Sequence, residues 1–153
     1  MDKCSLVIYV GLVGWFVTVL GWFVNNFFSD SRETRKETRA KIDRLNDELE
    51  KLLKSSHAYY CSSKKAEQKN AELEITASFN KLDGIVERLE EDNPELKIKN
   101  TLGDLFDAIT GGEYGSDRVN RSPDVYTEKN ERLALLSENI RSSCEIWFKN
   151  TFH

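Results

Sequence analysis

The feature that most constrains this chain is the uncharged run from Ser5 to Val24, SLVIYVGLVGWFVTVLGWFV. At ~1.5 Å per residue such a helix is about 30 Å long, which matches the hydrocarbon core of a bilayer. No polar face interrupts the run, so it cannot be the half-buried helix of a small soluble domain. A cleaved leader would have a shorter apolar core followed by a small-x-small site. Here the run is followed by Asn25, Asn26, Phe27 and Phe28. The expectation is an uncleaved transmembrane anchor over residues 1–28. Over the whole chain the mean hydropathy of -0.54 and the 31% of charged residues are those of a soluble protein, an average that hides the partition, since beyond Asp30 the chain is strongly polar.

Charge sets the expected orientation. Lys3 alone precedes the run, whereas Arg32, Arg35, Lys36, Arg39, Lys41 and Arg44 follow it closely. Basic residues stay on the cytoplasmic side, which places the N-terminus outside and residues 29–153 in the cytoplasm of an inner or plasma membrane. Arg32, Arg35, Lys36 and Arg39 are also suited to contact anionic membrane lipids. The net charge of -4 excludes the general basic excess of a nucleic-acid-binding protein. Three cysteines, Cys4, Cys61 and Cys144, form neither a disulfide framework nor a zinc motif, and free thiols agree with a reducing compartment.

Inside the run GWFV occurs twice, at Gly14–Val17 and Gly21–Val24. Gly11, Gly14, Thr18, Gly21 and Asn25 recur at three- and four-residue steps and share one helix face. Small residues let helix backbones approach closely in lipid, and Thr and Asn can hydrogen-bond across the contact. With one span per chain, the partner helix must come from another copy, so a homo-oligomer is expected.

The polar remainder reads as all-α, a small helical bundle. Ile42, Leu45, Leu49 and Leu52 form a narrow apolar stripe of the kind seen in coiled coils and bundle edges. Ser55–Lys65 interrupts it, either as a turn or as a continuation with aromatic contacts. A second helix is predicted from Ala66 to Leu89, with Ile75, Phe79, Leu82, Val86 and Leu89 inward and Asn93-Pro94 beyond its end. A third is predicted with Thr101 as its cap, Leu102, Leu105, Phe106 and Ile109 inward, and Gly111-Gly112 as its stop. Residues 112–124 read as a polar loop. Ser122-Pro123 starts the last helix, with Leu133, Leu136, Ile140, Cys144 and Trp147 inward.

Catalytic patterns are thin. His57 and Cys61 stand four apart and could share a helix face, but no further metal ligand or orienting group accompanies them. GGEYG at Gly111–Gly115 lacks the Lys-Ser/Thr ending of a phosphate loop. Arg118 and Arg121 read as solvated. The chain is therefore expected to carry no catalytic site, no metal and no cofactor.

Three segments carry a resemblance: GWFVNN at Gly21–Asn26, RETRKETRAKID at Arg32–Asp43 and DAITGGEYGSDR at Asp107–Arg118. In this order of parts the chain resembles small bacterial proteins with one span, a basic juxtamembrane helix and a cytoplasmic helical domain, a group without assigned activity. In layout it is similar to the membrane accessory protein of type VI-B CRISPR systems, which implies a ring-shaped pore. The Arg-His pairing of that family's ribonuclease-like domain is absent here. The expected function is a non-enzymatic, self-associating single-pass protein whose cytoplasmic domain binds a protein partner or receives a signal. The alternative is an oligomeric pore effector, in anti-phage defence, which would collapse membrane potential on overexpression.

Overall fold

The computed structural model of the chain describes residues 3–62, 64–112, 114–115 and 123–152, with side chains at all of these except 3–12, 26–28, 30–31 and 123–126. It is all-α, with no strand among the described residues. The helices are α1 (Lys3–Cys61), α2 (Lys65–Asp92), α3 (Lys99–Thr110) and α4 (Pro123–Phe152). By compactness the chain divides into two units, Met1–Thr38 and Arg39–His153. The expected boundary at residues 28 and 29 marks where the apolar run yields to charge. The second unit begins near the first buried residues of the bundle, Ile42 and Leu45.

In the first unit the backbone is helical from Lys3, and Ser29–Ser31 start no new helix. Among the described residues no helix is long and apolar enough to cross a membrane. The described apolar side chains run from Val13 to Val24 and cover only about 18 Å of helix at ~1.5 Å per residue. The first part of the expected span, Ser5–Leu12 with Gly11, lies outside the residues described in side-chain detail.

The second unit is a helical bundle around one apolar core. The α1 stripe is fully covered: Ile42, Leu45, Leu49 and Leu52 are each 0% exposed. Of the two readings of Ser55–Lys65, continuation with aromatic contacts holds as far as Cys61. The helix continues to Cys61 because Ser55, Ser56 and Tyr59 extend its buried face. Helix α2 begins at Lys65, and just before it the Ser62 hydroxyl donates to the Glu67 carboxylate at 2.6 Å. Helix α2 then runs antiparallel to α1. Lys41 meets Asp92 at 2.6 Å, Ser55 donates to Glu74 at 2.9 Å, and Lys81 approaches Glu48 between them.

Thr101 does not cap α3. The helix begins at Lys99, and its free backbone N–H groups are met from α2: Glu90 Oε1 accepts from Ile98 at 2.7 Å and from Lys99 at 2.8 Å. A carboxylate there also faces the positive end of the helix dipole. The connector contributes Leu96 and Ile98 to the core. Gly111 ends α3, donating its N–H to Asp107 O at 2.7 Å, and Gly112 takes φ +74. That left-handed turn is open to glycine at little cost.

On α4 the core line runs through Leu133, Ser137, Ile140, Cys144 and Phe148. It departs from expectation at Leu136 and Trp147, which are only half-buried. A 3.6-residue period allows either step of three or four, and packing selects the other one here. Phe79 and Phe106 are likewise half-buried and stack on each other with ring centroids 4.0 Å apart.

Candidate functional site

The helix from Val13 to Asn25 presents its side chains on every face. Trp15, Phe16, Val17, Trp22 and Phe23 are 62–66% exposed. Gly14, Thr18, Gly21 and Asn25 line one face by helical spacing. The Thr18 hydroxyl donates to Gly14 O at 2.8 Å, so it is folded back along the helix. A Cβ added at Gly14 or Gly21 would meet nothing within 4 Å. Among the described residues, the two glycines answer to no steric contact. Trp22 and Phe23 pack edge to face at 6.5 Å on this otherwise uncovered helix.

Of the expected lipid-contacting residues, Arg32, Arg35 and Lys36 are exposed. Arg39 is half-buried and belongs to the bundle. It pairs with Glu145 at 2.8 Å and Asp43 at 3.1 Å, and its guanidinium lies 5.5 Å from the Phe148 ring centroid. The hydrogen bond to Glu145 raises its pKa against the opposing effect of burial.

The bundle offers little for bond-making chemistry. No group of three or more potential metal-ligating side chains occurs among the described residues. His57 and Cys61 do share a face at the end of α1, with Nε2 and Sγ 3.9 Å apart and both residues exposed. Cys144 is a core thiol: burial, with a smaller push from the Glu145 charge, raises it to about 12, so the nucleophilic thiolate is withheld.

GGEYG is more than a surface loop. Tyr114 packs on Tyr59 at 4.7 Å, and Gly115 donates its N–H to the Tyr59 hydroxyl at 2.8 Å. Burial, then the charges of Glu72 and Tyr59, raise the Tyr114 phenol to about 12. Tyr60 donates to Ile109 O, while Lys129 on α4 donates to the Tyr60 hydroxyl and to Gly111 O. These contacts bind the end of α3 to α1 and α4. Their signal in the sequence was only the pair Tyr59-Tyr60. Glu113, Arg118, Arg121 and His153 lie outside the described residues.

Between α1 and α2 lies a polar groove of about 520 Å³, lined by Arg44, Asp47, Glu48 and Lys51 from one wall and by Lys81, Gly84 and Arg88 among those of the other. Sequence reading placed Arg44 only among the orienting basic residues and did not single out Arg88. Their convergence depends on the antiparallel pairing of two helices, which no local pattern reveals. No family model, curated protein or solved structure matches this chain.

Proposed function

We propose that this is a non-enzymatic single-pass membrane protein, anchored by Ser5–Val24, that self-associates through the face bearing Gly11, Gly14, Thr18, Gly21 and Asn25. The helical bundle then lies in the cytoplasm and serves to bind a protein partner or receive a signal. The observation that carries this reading is the uncovered apolar helix. Nine large apolar side chains between Val13 and Val24 are 41–66% exposed. At ~1.5–3 kcal/mol for fully burying such a side chain, leaving nine mostly in water forgoes on the order of 10 kcal/mol. A soluble chain of this size has a total stability of about that magnitude. Lipid removes the penalty, and the uncharged continuation back to Ser5 supplies the length that a bilayer needs.

Topology provides the test. In a bacterial host the protein is expected to stay in the membrane pellet through alkaline carbonate extraction. A reporter active only in the periplasm, fused after His153, is expected to be silent, and the same reporter fused before Met1 active. Release by carbonate would remove the anchor, and periplasmic activity of the C-terminal fusion would reverse the orientation.

A further inference from the structure

The α1–α2 groove contains two arginines without an ion-pair partner among the described residues. Arg44 and Arg88 make no hydrogen bond or ion pair among the described residues, although the neighbouring lysines do. The antiparallel register sets them opposite each other. Arg44 falls between Lys41 and Glu48 on α1, and Arg88 falls between their partners Asp92 and Lys81 on α2. Glu48 is already engaged, since Lys51 donates to its Oε1 at 2.6 Å and Lys81 lies 4.0 Å from its Oε2. Asp47 is then the one acid left in the groove to answer two guanidiniums. Two like charges facing each other at one level cost stability unless an anion lies between them.

The Glu48 side chain is only 13% exposed and its Oε2 is buried with Lys81 4.0 Å away, so this acid is held within the protein. A Cβ at Gly84 would meet nothing within 4 Å, so the wall there is open. A volume of about 520 Å³ falls within the range of small-ligand pockets, roughly 300–1,000 Å³.

We propose that this groove binds a phosphate monoester, its phosphate clamped between Arg44 and Arg88. Planar guanidiniums grip phosphate through paired N–H donors, a geometry that lysine does not reproduce. The same group occurs on a soluble nucleotide and on the headgroup of phosphatidic acid, and the clamp chemistry is common to both.

The test uses the full chain in uncharged detergent, titrated with AMP, inorganic phosphate, adenosine and a short-chain phosphatidic acid while binding is followed by calorimetry. AMP is expected to bind, adenosine at least tenfold more weakly, and Arg44→Gln or Arg88→Gln to weaken AMP at least tenfold. Lys149→Gln, on α4 and away from the groove, should bind as the parent does. Binding of phosphatidic acid with the same arginine dependence, without AMP binding, upholds the clamp and assigns its source to lipid. The thermal midpoint of both arginine variants without ligand is expected to be unchanged or raised, because a repulsion is removed. Absence of binding by AMP, phosphate and phosphatidic acid alike overturns the proposal. So does binding that survives both substitutions, or a lowered midpoint in both variants.

Discussion

Helix α1 carries two apolar segments that solve different problems. From Val13 to Val24 every described large side chain is apolar and uncovered, and the residues between them are Gly and Thr. From Ile42 to Leu52 the apolar residues occupy one stripe, are fully covered, and alternate with Arg, Asp, Glu and Lys. Backbone geometry is the same in both. The difference shows that a helix's solvent is written in how far around it the apolar residues extend. A stripe asks for neighbouring helices of the same bundle, whereas a full circumference asks for lipid or for other copies.

The largest expected effect sharpens that contrast by truncating one apolar residue in each segment. Leu49→Ala opens a cavity in a closed core and is expected to cost about 2–5 kcal/mol. Val17→Ala, on the 64% exposed side chain, is expected to leave bundle stability unchanged. Denaturant unfolding in uncharged detergent, followed by helical circular dichroism, checks both. Equal losses would mean that the two segments share one core.

A middle-sized effect concerns how the bundle closes without a local cap. Glu90→Gln removes the charge that faces the N-terminus of α3 while keeping an acceptor, and is expected to cost about 0.5–1 kcal/mol. Glu90→Ala also strands two backbone N–H groups and is expected to cost about 1–2 kcal/mol. Thr101→Ala, at the position a sequence reader would choose as the cap, should change stability by less than either. The order of the three unfolding free energies is the measurement.

This is also where legibility in the sequence ends. Periodicity located the helices, and the stripe of Ile42 to Leu52 proved buried as read, as did its counterpart from Ile75 to Leu89 except at the half-buried Phe79. The cap of α3 was not legible, because it arrives from Glu90, nine residues before Lys99, across a turn. The extension of α1 through Tyr59 was ambiguous for the same reason. Its Ser and Tyr residues are neutral to helix propensity, and packing decided. In the candidate self-association face the spacing was legible and its surroundings were not, since a partner surface leaves no mark within one chain. The Arg44–Arg88 groove needed the register of two helices before its charges could be seen to face each other.

The smallest effect is one of pH. Burial raises Cys144 from 9.0 and Tyr114 from 10.0, each to about 12, and holds both neutral in the folded bundle. Below pH 9 both groups are protonated whether folded or not, so their contribution to stability is fully present. Above it the unfolded chain releases protons that the folded one keeps. Stability is therefore expected to fall from pH 9 through about 12. Cys144→Ala should lower stability at neutral pH through its cavity but flatten the first part of that decline. A thermal-unfolding series across this range reads both effects. Under native conditions a maleimide should label exposed Cys61 long before buried Cys144.

The central claim is that the uncovered helix assembles copies of the chain in a membrane through its small-residue face. Gly14 and Gly21 can be enlarged without meeting any neighbour within 4 Å among the described residues, so their replacement tests association without a clash there. The direct measurement is a membrane two-hybrid signal, with crosslinking in detergent, for the parent, Gly14→Ile, Gly21→Ile and Val13→Ile. Each glycine variant is expected to weaken association about tenfold, equivalent to ~1.4 kcal/mol, by holding the backbones apart. Val13→Ile, off the glycine face, is expected to associate as the parent does. Equal association in all four would contradict the account and leave the glycines as a feature of composition alone.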